Sequence, residues 1–353
     1  MDYKQLFSEL LENLINQNGS DLHIGTGIKP SIRIDGELIF LVNYKETTAE
    51  DVFGILEFLI GPERMDSFKK KRVIDFSSSL NEGKTQLRGN AFYQRGTPSV
   101  ALRLIPKPKT FEELSLPQIL KEFARKKQGF FLVVGPVGQG KSTTLSTMIN
   151  FINSESSRHI ITIEEPIEFI YKPDRSIISQ REVGGDTDSF LSALEAAFRE
   201  DANVILIGEM RDPKTISAAV TAAETGHLVL STLHTNNASQ TIDRIIDSFP
   251  SDQQDQIRLQ LAASLLGIFS QRLIPKISGG RVPAYELLIN NKAIANLIRE
   301  KRTHEIDTVL ETSSREGMVD MNRCLIDLIQ KGDINLESAY DHSINPKALE
   351  QLF

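Results

Sequence analysis

The eight residues Gly135-Pro136-Val137-Gly138-Gln139-Gly140-Lys141-Ser142 follow an apolar run, 130–134, and lead directly into a helical pattern that opens at Lys141. An apolar strand that passes through a glycine-rich turn into a helix leaves the chain few options. A strand apolar on both faces has to be covered on both, which is the condition of a parallel sheet flanked by helices. The spacing fits G-x-x-x-x-G-K-[ST], in which backbone N–H groups of the turn surround phosphate oxygens, Lys141 reaches the outer phosphates and the Ser142 hydroxyl ligates Mg²⁺. The helix adds the positive end of its dipole. Gly135, Pro136, Val137, Gly138, Gln139, Gly140, Lys141, Ser142 and Thr143 are therefore the candidate residues of a nucleoside triphosphate site.

The 353 residues are too many for one typical domain and imply two or three. A net charge of −7 argues against a general nucleic-acid-binding surface. Cys324 is the only cysteine, so an intramolecular disulfide and a cysteine-based metal site are excluded, and a reducing compartment suits the chain. The first residues lack the basic, apolar and small-residue order of a signal peptide. No apolar run approaches the roughly 18 residues that a membrane span requires. A cytoplasmic protein that meets a membrane only through partners is expected.

Along the chain, Leu6, Leu10 and Leu14 recur at helical spacing, and Ile32 and Ile34 alternate with polar neighbours up to Asp35-Gly36, after which Leu38, Phe40 and Val42 alternate again, a hairpin signal. Helical stretches at 48–59 and 62–71 precede strand patterns at 73–79, 86–94 and 99–105, which together predict an antiparallel α+β domain over 1–105. Pro106-Lys107-Pro108-Lys109 opens a linker, 106–115. From 116 to 290 strands and helices alternate: strands at 130–134, 160–163, 204–207 and 228–232, helices from Lys141 and at 189–200 and 213–224. This is the pattern of a mostly parallel sheet covered on both faces. The remainder, 291–353, reads as short helices.

The strand 204–207 ends in Gly208-Glu209, where a P-loop enzyme carries the acid that engages Mg²⁺, so Glu209 is the second candidate metal ligand. The strand 160–163 ends in Glu164-Glu165-Pro166-Ile167-Glu168. Ligands of open α/β sheets sit beyond the carboxyl ends of the strands, so these acids are placed to orient an attacking water. His234 follows the strand 228–232 at the same kind of position and is a candidate γ-phosphate sensor, whereas His227, before that strand, is assigned to orienting the loop. Arg88, Arg95 and Arg103 fall in the last strands of the N-terminal domain. They are either guanidinium groups supplied to a transferring phosphoryl by a neighbouring subunit or surface ion-pairing residues.

With these residues in hand, the chain resembles the secretion-type ATPases of type IV pilus and type II secretion systems, and among them the twitching-motility retraction (PilT-like) branch. Four boxes carry the resemblance in order: the P-loop; Ile161-Thr162-Ile163-Glu164-Glu165-Pro166-Ile167-Glu168-Phe169; Ile205-Leu206-Ile207-Gly208-Glu209-Met210-Arg211-Asp212; and the histidine box 222–235. It implies a PAS-like N-terminal domain, a RecA-like P-loop ATPase domain with C-terminal helices, a ring-shaped hexamer, ATP and Mg²⁺, and hydrolysis coupled to removal of pilin subunits. It also implies an inner-membrane pilus platform protein as partner, with related pilus ATPases as further possible partners. Glu164 would be the general base, Glu209 the Mg²⁺-associated acid, and Lys141, His234 and the arginines would assist. Assembly-type relatives carry a longer N-terminal extension and a four-cysteine zinc motif, neither of which is seen here. Three positions depart from the family pattern. Gln139 replaces Ser at a loop position expected to face solvent, Glu165 replaces Asp, and Ala295 replaces Arg in the retraction-associated segment Ala293-Ile294-Ala295-Asn296-Leu297-Ile298-Arg299-Glu300. The last two keep open a non-hydrolysing adaptor or an assembly motor.

Overall fold

The computed structural model describes residues 2–34, 36–80 and 85–352. The chain divides into two compact units, Met1–Lys107 and Pro108–Phe353.

The first unit runs α1 (Tyr3–Asn16), β1 (Asp21–Gly25), β2 (Ser31–Ile34), β3 (Glu37–Phe40), α2 (Ala49–Lys71), β4 (Val73–Leu80), β5 (Thr85–Gln94) and β6 (Thr97–Ile105). Its strands form one antiparallel sheet in the order β3-β2-β1-β6-β5-β4. The expected hairpin is the β2–β3 pair, although Asp35 of its turn lies outside the described residues. Thr48 and Asp51 close a reciprocal cap at the start of α2. The two helical stretches read from the sequence are the two halves of α2, broken at Gly61, whose φ of 76° only glycine adopts without strain. Leu10 and Leu14 of α1, Ile55 and Phe68 of α2, and Leu22 and Leu102 of the sheet share one core.

The second unit continues with α3 (Ile119–Ala124), β7 (Gly129–Val134), α4 (Lys141–Glu155), β8 (His159–Glu164), β9 (Ile177–Glu182), α5 (Phe190–Ala197), β10 (Val204–Ile207), α6 (Pro213–Glu224), β11 (Leu228–Leu233), α7 (Ala238–Asp247), α8 (Gln254–Ser264), β12 (Leu265–Pro275) and β13 (Arg281–Ile289). Five short helices follow: α9 (Lys292–Arg299), α10 (Ile306–Thr312), α11 (Met321–Gln330), α12 (Leu336–His342) and α13 (Pro346–Glu350). The sheet order is β13-β12-β7-β11-β10-β8-β9, parallel throughout except for the β12–β13 pair. Every residue of β7, β10 and β11 is buried, yet the strands keep the period of two. Phe130, Leu132 and Val134 enter a core with Leu194, Ile216, Ile242 and Leu261, while Phe131 and Val133 enter the opposite one with Leu120, Leu145 and Met148. A third core seats α11 and α12 on Ile274, Val282 and Ala284 of the β12–β13 hairpin.

Three strands of this sheet escape sequence reading. β9 is a half-exposed edge strand with little apolar character. β12 and β13 pair through residues such as Ser270 and Glu286 that interrupt any apolar run.

Candidate active site

Parallel register brings the functional strand ends to one edge. Val134 lies level with Leu233, and Ile163, Ile207 and Ser231 lie level with one another. Glu164, the last residue of β8, and the P-loop, Glu209 and His234, which follow their strands, line one cavity of about 480 Å³, together with Ser142, Thr143 and Glu168. The edge is held by Ser231, whose hydroxyl donates to the Ile207 carbonyl at 2.7 Å, and by Thr232, which donates to the Gly208 carbonyl at 2.7 Å.

The helix α4 begins behind Gly140, which caps it with φ 80° and offers no side chain to its first N–H groups. Those groups stay open toward the cavity, an anion-binding arrangement. The Lys141 ammonium donates to the carbonyls of Gly135 at 2.8 Å and Pro136 at 2.9 Å, and lies 3.2 Å from His234 Nδ1. Burial lowers its pKa, against the pull of the Glu209 and Glu168 carboxylates. The pKa of the His234 ring is lowered by burial and by the Lys141 charge, which favours the neutral imidazole, and its Nε2 lies 3.6 Å from Glu209 Oε1.

The two adjacent acids at the end of β8, Glu164 within the strand and Glu165 just past it, occupy different environments. Glu164 is buried, accepts from the Thr162 hydroxyl at 2.7 Å and from the Glu168 N–H at 3.3 Å, and is raised above the ordinary carboxylate value by burial. Glu165 is half exposed and meets Arg211 at 3.4 Å. The same Arg211 donates to Glu209 at 2.8 Å and holds that carboxyl below its ordinary value. Arg211 thus ties the β10 box to the β8 box, a link no single-segment motif displays.

Other expected residues lie elsewhere. Arg88 and Arg103 face each other across β5 and β6, and Arg103 pairs with Asp21 at 2.8 Å. Arg95 occupies the exposed turn between those strands, at φ 50°. All three belong to the first unit. His227 Nδ1 lies 3.0 Å from the Ala222 carbonyl, where it secures the end of α6. Gln139 departs from expectation: it is half-buried rather than solvent-facing, because its side-chain oxygen accepts from the Leu273 N–H at 2.6 Å and its carbonyl accepts from the Gln271 side chain at 2.7 Å. Gln271, on a strand the sequence reading did not identify, carried no signal of this role.

This geometry can be set beside known proteins. Residues 3–332 match the model of the type II/IV secretion system protein family. The chain belongs to that family. Its relatives include the type IV pilus retraction ATPase PilT of Pseudomonas aeruginosa, 40% identical over 96% of this chain and 98% of that protein. The type IV pilus ATPase PilU of the same organism is also 40% identical, over 96% of this chain and 88% of that protein. A crystal structure of the pilus retraction motor PilT with bound ADP superposes with a TM-score of 0.89 at 45% identity, covering 97% of this chain and 98% of that one. As a member of the family, the chain is an ATPase. Among the described residues no helix is long and apolar enough to cross a membrane.

Proposed function

We propose that the chain is a Mg²⁺-dependent, ATP-hydrolysing motor that works as a hexamer to power type IV pilus retraction, docked peripherally at the inner membrane through a platform protein. The observation that carries this reading is the meeting of Lys141, Ser142, Glu164, Glu209 and His234 on one cavity at the carboxyl edge of a parallel sheet. Full-length similarity to a retraction ATPase supports it. The domain plan that goes with it is a PAS-like domain over 1–105, a linker at 106–115, a RecA-like core over 116–290 and a helical region over 291–353.

Within the site, the loop 135–143 cradles the phosphates and Lys141 neutralises their outer charge. Glu164 is the general base. It is the buried acid of its pair, and its raised proton affinity suits a group that takes a proton from water near neutral pH. Ser142 makes no side-chain hydrogen bond among the described residues, and its hydroxyl and the Glu209 carboxylate line the same cavity, an all-oxygen set that fits a hard divalent cation. Bound there, Mg²⁺ would neutralise phosphate charge. Arg88, Arg95 and Arg103 serve a neighbouring subunit's phosphates.

A second reading, an accessory pilus ATPase, is favoured by Ala295. Its side chain is buried in α9, where the retraction-associated segment has Arg, and the chain is 40% identical both to PilT and to PilU, a pilus ATPase whose name does not specify retraction. Deletion of the gene with complementation tests the proposal. Surplus immobile pili mean retraction, and missing pili mean assembly. Steady-state phosphate release by the isolated protein separates a self-sufficient motor from an adaptor that binds nucleotide without turnover.

A further inference from the structure

The strand β12 outruns its neighbour β7. Their last paired residues are Ser270 and Val134, and β12 continues to Pro275. The overhang stays paired with β13 on one side and lies along the P-loop on the other, where among the described residues β7 no longer runs beside it to satisfy its backbone. Gln139 takes that part: its side-chain oxygen accepts from the Leu273 N–H at 2.6 Å, as a neighbouring strand's carbonyl would. The bond is returned from the other side. Buried Gln271 donates its side-chain N–H to the Gln139 carbonyl at 2.7 Å and accepts from the Thr144 hydroxyl of α4 at 2.6 Å. Gly135 lets the two segments close up, because a Cβ there would stand 2.4 Å from the Gln271 carbonyl oxygen.

Gln139 sits between Gly138 and Gly140, whose φ values are 78° and 80°. A residue between two such glycines has wide conformational freedom, and ordering it on binding phosphate costs entropy. Here both its carbonyl and its side chain are already tied to β12. That strand is itself fixed, since Ile274 is fully buried against Val282 and Leu325.

We infer that Gln139 and Gln271 form a latch that holds the P-loop in its phosphate-binding shape through the β12 overhang, and so sets how long a nucleoside diphosphate stays bound. Gln139 is a positioning residue in this role, acting through the loop N–H groups rather than on the reacting atoms. The inference rests on the loop being the nucleotide site. Pre-organisation of this kind appears mainly in dissociation rates.

The test is stopped-flow release of a fluorescent mant-ADP, with Mg²⁺, from the full chain and from Gln139→Met, which keeps the length of the side chain and loses the acceptor. Release is expected to quicken by about 3- to 10-fold, the span of one neutral hydrogen bond. The KM for ATP is expected to rise in the same variant. Gln139→Ser, too short to reach Leu273, should behave likewise. Gln271→Met should quicken release, and the double variant should be no faster than the faster single one, because both act through one latch. Release from a cooperatively melting Gln139→Met at the wild-type rate overturns the latch, as do independent, multiplying effects in the double variant. A wild-type chain that binds no mant-ADP overturns the nucleotide-site reading and the latch together, whereas tight wild-type binding with equal release rates overturns the latch alone.

Discussion

One imidazole stands between Lys141 and Glu209: Nδ1 of His234 lies 3.2 Å from the Lys141 ammonium, and Nε2 lies 3.6 Å from a Glu209 carboxylate oxygen. A neutral ring suits both neighbours, because it can accept from the ammonium on one side and present N–H to the carboxylate on the other. The lysine of the P-loop and the acid of β10 are thereby linked through a residue from a third strand end.

The charge of Lys141 helps to hold His234 below the ordinary histidine value, after burial itself. Proton NMR of selectively labelled histidines should therefore find its midpoint below 6.5. Lys141→Met should move that midpoint upward, since the neighbouring charge is gone. A midpoint unchanged in the variant would remove the electrostatic link.

Glu164 and Glu165 should respond differently to the same change. Glu164→Gln is expected to lower phosphate release by about 10²- to 10⁴-fold while nucleotide binding persists, the ordinary range for loss of a general base. Glu165→Gln removes only an exposed partner of Arg211 and should cost far less. Because burial raises Glu164, the acidic limb of kcat/KM should lie above the ordinary carboxylate value of 4.5. Equal losses in the two variants would exchange or share their roles.

Gly135→Ala places a methyl group 2.4 Å from the backbone oxygen of Gln271, at a φ of 147°. A loss of about 1–3 kcal/mol in stability is expected, from overpacking in a closed site, together with weakened nucleotide binding. Gly138→Ala meets nothing within 4 Å and should suffer only the conformational cost of its φ of 78°, about 1–2 kcal/mol. Thermal melts of the two variants with and without MgADP compare them.

Glu286 of β13 is buried against the start of α7, where its carboxylate accepts from the Ala238 N–H at 2.8 Å and from the Ser270 hydroxyl at 3.2 Å. Burial pushes its pKa from 4.5 up to about 7. In that window the folded chain holds a proton that the unfolded chain has released, so stability falls as pH rises from about 4.5 to about 7. The steepest part of the fall is about 1.4 kcal/mol per pH unit. Glu286→Gln keeps an acceptor for Ala238 and should flatten this slope in denaturant titrations at pH 5, 6, 7 and 8.

The sequence by itself determined the parts whose chemistry is local. A glycine turn with lysine and serine at fixed spacing can be read along the chain, and so can strands apolar on both faces and the acids or histidine that end them, because each depends on neighbours a few residues away. The same holds for the two halves of α2 around Gly61 and for the α6 start at Asp212-Pro213, where the capping carboxylate and N1 proline are adjacent. Tertiary structure decided the rest, for the reason that register and burial are long-range. Only the sheet could separate Glu164, turned inward, from Glu165, turned out to Arg211, since one residue's shift along a strand reverses the face. Only the overhang of β12 could convert Gln139 from a loop side chain into a substitute strand, because its partner, Leu273, is supplied by a distant segment with no motif of its own.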